Sequence, residues 1–258
     1  MNEAIHAEWT KLRTVAGTWW LLFAVIVLTT GLGAAAAAAV TCSYAGCQQD
    51  PVKISLTGTT LGQAIIAILA VSVIGGEYAT GMIRTTLVAV PRRSTALAAK
   101  AVTLAAVVLA ASLPSVLGSV LLGRLLLPGS GFTAAHGFSA LSLTDPSTLR
   151  AAVGSVLYLA LIALLALGIA TVVRDPAVAT GVVLGLLYLS PVLVHLVSDP
   201  HWQRHLQQIS PMNAGLAIQN TTNLSGLPIS PWSGLGVLAA WAALALAAGG
   251  LALRVRDA

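Results

Sequence analysis

Charge is scarce in this sequence. Only 8% of its 258 residues are Asp, Glu, Lys or Arg, against about a quarter in an ordinary soluble domain. Phosphate-cradling motifs are missing as well. No G-x-x-x-x-G-K-[ST] occurs, which excludes the usual mode of ATP binding by this chain alone. H-E-x-x-H and G-x-S-x-G are absent too, removing the common zinc-protease and hydrolase signatures. Cysteine is almost absent. Cys42 and Cys47 are the only pair, their spacing is not a zinc spacing, and no histidine lies nearby.

What fills the space is apolar. Hydrophobic residues make up 57% of the chain, and several runs exceed the ~18 residues that read as a bilayer-crossing helix. The chain reads as an all-α membrane protein, one transmembrane domain over residues 1–258. Spans are expected at about 19–40, 61–76, 101–123, 151–173, 177–197 and 232–253. Most of the sequence therefore lies in the lipid bilayer, and the net charge of +5 speaks to orientation rather than to nucleic acid.

Residues 2–18 precede the first span. Ile5, Trp9, Leu12, Ala16 and Trp19 recur at spacings of four and three, while His6, Thr10, Lys11, Arg13 and Thr14 point elsewhere. That pattern predicts an amphipathic helix along the membrane interface with tryptophan at headgroup depth. The first apolar run has 22 residues, against ~7–15 for a signal peptide, so an uncleaved anchor is expected.

Residues 41–60 read as a polar loop holding Cys42 and Cys47. If that loop faces outward the pair can close a short disulfide; two free thiols is the alternative. Pro114 inside the third span should kink it. Residues 124–149 read as a loop on the same side, and Arg174-Asp175-Pro176 as a tight turn on the other. Gly181 and Gly185 form a small-x-x-x-small motif for close helix packing. Residues 198–231 are too long and too apolar for a simple loop. Asp199-Pro200 starts a helix well, and residues 212–218 form a second short piece. His201 and His205 sit i, i+4 on the first helix, and two ligands alone do not hold a metal.

With the N-terminus inside, nine basic residues fall on inner segments and four on outer ones. That is the positive-inside pattern. It puts both termini and residues 77–100 in the cytoplasm.

Residues 77–100 carry five of the chain's twenty-one charges: Glu77, Arg84, Arg92, Arg93 and Lys100. A carboxylate at the lip of a span must face protein or water, since burial in lipid costs up to ~3 kcal/mol. Arg84 is seven residues on, about 10 Å further along a helix, so pairing with Glu77 requires a bend that Gly81 can supply. An amphipathic piece at 82–90 ends at Pro91, with Arg92 and Arg93 exposed. Such a stretch presents a docking surface to a partner; a lipid-contact patch is the competing account of the two arginines.

This arrangement resembles the permease subunits of ATP-binding-cassette exporters of the type-2 branch. The likeness rests on E-W-T-K-L-R-T at 8–14 and G-E-Y-A-T-G-M-I-R-T-T-L followed by P-R-R and K at 76–100. The six-span plan and the long segment before the last span extend it to nearly the whole chain. The resemblance implies an elbow helix at 2–18, a cytoplasmic coupling loop at 77–100 and outer re-entrant helices at 198–231. It implies a homodimer or a dimer with a paralogous permease, and a separate cytoplasmic ATPase subunit that binds ATP and Mg, leaving this chain no cofactor and no catalysis of its own. Docking would involve Glu77, Tyr78, Gly81, Arg84, Pro91, Arg92 and Arg93, with a lesser contact at Arg174. Family cargoes include antibiotics, peptides, lipids and glycans, and the host reads as bacterial, with the chain in its inner membrane. A scaffold that anchors a cytoplasmic ATPase or signalling partner without transport, and a secondary transporter, are the rival functions.

Overall fold

Aspartate followed by proline sets several of the helix starts. In the computed structural model, which describes residues 2–42, 47–82 and 93–256, four of the five aspartates cap a helix whose first residue is proline. Proline has no N–H to lose there, and the carboxylate accepts one of the orphan amides of the first turn. Asp50 accepts from Val52 and Lys53, Asp145 from Thr148, Asp175 from Val178 and Asp199 from His201.

The elements run α1 (Asn2–Thr14), α2 (Ala16–Ala39), α3 (Pro51–Ser55), α4 (Thr59–Ala79), α5 (Arg93–Leu126), α6 (Pro146–Val173), α7 (Pro176–Leu196), α8 (Pro200–Ile209), α9 (Pro211–Leu216) and α10 (Pro231–Arg256). Short 3-10 turns occupy Leu127–Ser130, Ala134–His136, Ala217–Gln219 and Leu224–Gly226. The described residues contain no strand. Helices α2, α4, α5, α6, α7 and α10 are long and apolar enough to cross a membrane.

Helix α6 is the centre, packed along α10, α4 and α5. Its core face is Tyr158, Leu159, Ile162, Leu165 and Leu167, all fully buried. Backbones meet where Gly168 faces α10: a Cβ there would lie 2.5 Å from the carbonyl carbon of Ala245, so only glycine lets the two helices approach so closely. Gly181 and Gly185, the sequence's candidate packing motif, do not do this. Neither has a neighbouring helix within reach of an added Cβ, and the α7 face around them is open, with Val178, Val182, Leu189 and Leu193 exposed.

Several boundaries differ from expectation. The first helix stops at Thr14, because Val15 is extended (φ −84°, ψ 109°), and α2 begins at Ala16, so Ala16 and Trp19 belong to the span rather than to the amphipathic helix. The loop expected at 41–60 holds α3 and the first turn of α4. Helix α5 starts eight residues early, at Arg93, and runs through Pro114 without ending.

The chain's alternation sorts its ends. One face, called the N-terminal face, gathers α1, the end of α4, the start of α5, the α6–α7 turn and the end of α10. The far face gathers the connections after α2, α5 and α7. There Cys42 and Cys47 are joined by a disulfide. Beside them Val52, Leu56, Leu127, Phe132 and Leu141 form a small second core.

Candidate functional site

Among the described residues, the ion pairs gather on the N-terminal face. Helix α1 is short and polar, and on it Glu8 and Lys11 lie one turn apart, 2.9 Å between Oε1 and Nζ. Glu77 sits in the last turn of α4 and Lys100 two turns into α5. The four side chains close into one cluster. Lys11 Nζ is 2.7 Å from Glu77 Oε1, Lys100 Nζ is 2.6 Å from the same oxygen, and Lys100 Nζ is 2.7 Å from Glu8 Oε2.

Three of the four are out of solvent: Lys100 is 2% exposed and Glu8 and Glu77 are 5%. Two acids and two bases leave the cluster neutral, which is the condition for burying ions at all. Glu77 Oε2 is the exception: it is buried and accepts no hydrogen bond. Lys11 is the partly exposed member. Burial alone would lower its pKa, but hydrogen bonds to Glu77 and Glu8 and the two negative charges outweigh that and hold it above the ordinary 10.5. A cleft of about 500 Å³ between α1, α2 and α4 reaches the cluster, with Lys11, Thr14, Leu21, Val73 and Met82 among its walls.

Next to it, two arginines close the end of α10. The last carbonyls of a helix have no partner within it. Arg93 Nη1 donates to Leu253 O at 2.5 Å and Arg174 Nη2 to Ala252 O at 3.1 Å. Cations at a C-terminus also oppose the negative end of the dipole. Arg174 takes a left-handed conformation (φ 65°) as the cap of α6, and its guanidinium lies 5.6 Å from the centroid of the Tyr78 ring. Tyr78 is thereby tied to the α6–α7 turn. Pro176 of that turn also abuts Gly75, where an added Cβ would come within 2.8 Å of it.

Of the residues singled out from sequence, Glu77, Tyr78, Arg93 and Arg174 meet on this face. Gly81, two residues past the end of α4, has φ +71°, a conformation glycine takes without strain. Arg84, Pro91 and Arg92 lie outside the described residues, as does the amphipathic piece at 83–90. Glu77's described partners are Lys11 and Lys100, not a residue on its own helix. Lys11, assigned to the polar side of α1, turns inward instead. Sequence reasoning missed Glu8 and Lys100 as partners. The available signal was that Glu8 and Lys11 stand one turn apart and Lys100 interrupts an alanine-rich run.

The far face is held by Asp50. Besides capping α3 it accepts from Thr221 N at 2.5 Å, Thr221 Oγ1 at 2.8 Å and Thr222 N at 3.1 Å. Arg150 donates to Asn220 O at 2.6 Å and Lys53 to Asn220 Oδ1 at 3.0 Å. Deeper in, Tyr158 donates to Gln63 Oε1, and Gln63 Nε2 reaches Met212 Sδ at 3.3 Å. Gln219 donates to Ser155 at 3.0 Å. The spans thus hold buried polar pairs that the sequence did not reveal. His201 and His205 meet edge to face, ring centroids 4.5 Å apart and planes at 71°, and among the described residues no three potential ligands cluster as a metal site.

A family model described as ABC-2 family transporter protein matches residues 4–191, from α1 into α7. That range includes all four members of the ion cluster. No curated protein matches the chain.

Proposed function

The chain belongs to the ABC-2 transporter family as a membrane-spanning permease subunit, and on that premise we propose that it forms the translocation pathway of an ATP-driven exporter. It works as a dimer, with itself or a paralogue, in a bacterial inner membrane. Both termini are cytoplasmic, in keeping with nine basic residues on that side against four on the other. A separate cytoplasmic ATPase binds ATP and Mg and docks on residues 77–93, with a lesser contact at Arg174. The cargo is lipophilic or amphipathic.

The observation that carries this reading is the cluster of Glu8, Lys11, Glu77 and Lys100. The segment between Ala79 and Arg93 is flanked by α4 on one side and α5 on the other. Glu77 and Lys100 join those two helices beside it, and Glu8 and Lys11 add α1. A push from an ATPase on this segment therefore reaches three helices together. Arg93 and Arg174 extend the connection to the end of α10. Alternating access follows if the ATPases, drawn together by ATP, move these ends and the paired bundles open on the opposite side.

The test is purification of the tagged chain from its native host in mild detergent, wild type beside Arg92→Glu. Arg93 is left intact because it closes α10. A subunit with ATPase motifs and ATP-hydrolysing activity is expected with wild type and not with the variant. Retention by both moves the docking site off Arg92. Its absence from both overturns the exporter.

A further inference from the structure

On the side of α1 away from the ion cluster, a second cleft of about 490 Å³ runs between α1, α2 and α5. Trp9 and Leu12 of α1, Leu22 and Ile26 of α2, and the small side chains of Ala106 and Ala110 of α5 are among its walls. Apart from Thr18 and one cation, every lining residue is apolar. The cation is Arg13, at the end of the cleft where α1 gives way to α2. It is exposed, and among the described residues no carboxylate lies within ion-pair distance of it.

Local structure fixes that end. Trp19 Nε1 donates to the Arg13 carbonyl at 3.0 Å, so the residue's backbone is held at the mouth. Trp9 and Arg13 are four residues apart, on one face of α1. The surface around the mouth is open and apolar: Trp9 is 46% exposed, Trp19 55% and Phe23 58%. Tryptophan in such a position marks the membrane–water boundary. From Thr18 to Ile26 the cleft follows α2 for about 12 Å, the upper half of an extended acyl chain.

We propose that this cleft binds one anionic membrane phospholipid, an acyl chain along Leu22 and Ile26 and the phosphate at Arg13. An elongated apolar slot with a single cation at headgroup depth matches the two ends of such a molecule, and guanidinium is suited to phosphate oxygens. A zwitterionic lipid carries its own cation beside the phosphate and gains less from Arg13. The occupancy is independent of transport and of the ATPase.

The test is native mass spectrometry of the chain released from vesicles of equal parts phosphatidylglycerol and phosphatidylcholine. Wild type should retain one phosphatidylglycerol in preference to phosphatidylcholine. Arg13→Gln should lose that preference by about fivefold, the worth of one basic side chain near a charged surface. Arg124→Gln, an exposed arginine at the other end of α5, should keep it, and Arg13→Lys should keep most of it. Equal retention of the two lipids by wild type overturns the proposal, as does an unchanged preference in Arg13→Gln. Should Arg13→Gln not be recovered from membranes, the wild-type comparison and Arg13→Lys decide alone. A disulfide between two copies of an Ala110→Cys variant would mean that a second chain covers the cleft, which also overturns it.

Discussion

Lys100 places its ammonium 2.6 Å from Glu77 Oε1, joining the start of α5 to the end of α4 where both side chains are buried. Neither group gains much from water there, so each depends on the other. Removing one partner leaves an uncompensated charge, which costs about 3–5 kcal/mol in comparable buried pairs. Lys100→Met should therefore lower the apparent Tm in detergent by more than about 6 °C. Lys100→Met combined with Glu77→Gln, which restores neutrality, should recover part of the loss. Strictly additive losses in the double variant would show that the two groups do not interact.

The same cluster has a pH signature at Lys11. Its pKa is higher folded than unfolded, so its contribution is fully present below the ordinary 10.5 and is lost as pH rises through the raised folded value. The difference in Tm between wild type and Lys11→Met should be flat from pH 7 to about 10 and shrink above that. A difference that grows with pH contradicts the pairing.

Asp50 should control the segment at 220–222. Four of its hydrogen bonds come from Thr221 and Thr222, and bonds to a charged acceptor are worth about 1.5–3 kcal/mol each. Asp50→Ala should speed amide exchange at Thr221 and Thr222 by at least about tenfold. Asp50→Asn, which keeps an acceptor, should do less. Unchanged exchange in Asp50→Ala would remove Asp50 from that role.

Arg93 should be felt at a distance in sequence. Its bond to Leu253 O closes the last turn of α10, so Arg93→Gln should fray that turn. Hydrogen exchange at residues 252–256 should rise several-fold, the equivalent of about 1 kcal/mol, while α6 stays protected. Equal protection in variant and wild type would mean that Arg174 alone closes the helix.

Much of this architecture was legible because membrane helices announce themselves. Six apolar runs give six long helices, and proline after aspartate marks helix starts with a physical reason for each. What the sequence hid was partnership. Glu77 was visible as a costly carboxylate, but Lys11 and Lys100 lie 66 and 23 residues from it, and no local spacing links them. The amphipathic pattern of α1 pointed Lys11 away, since an apolar stripe describes lipid contact and not a polar pocket between helices. Gly181 and Gly185 misled in the other direction: their spacing suits close packing, yet the close approach belongs to Gly168, which has no motif. The Gln63–Tyr158 pair was illegible because each residue, alone in an apolar run, reads as an isolated polar interruption.

The contact between Asp50 and Thr221 spans 171 residues, and chains emerge from the ribosome at about 5–20 residues per second. Asp50 is therefore made roughly 10–30 s before its threonine partners exist. During that interval α4 to α7 are made in turn, and the far face still lacks its Asp50–threonine clasp. An order of birth follows: the first helices settle early, and the last quarter of the chain arrives as the closing piece. A ribosome stalled before residue 221 should thus leave a bundle with its N-terminal ion cluster formed and its opposite rim still open to proteases.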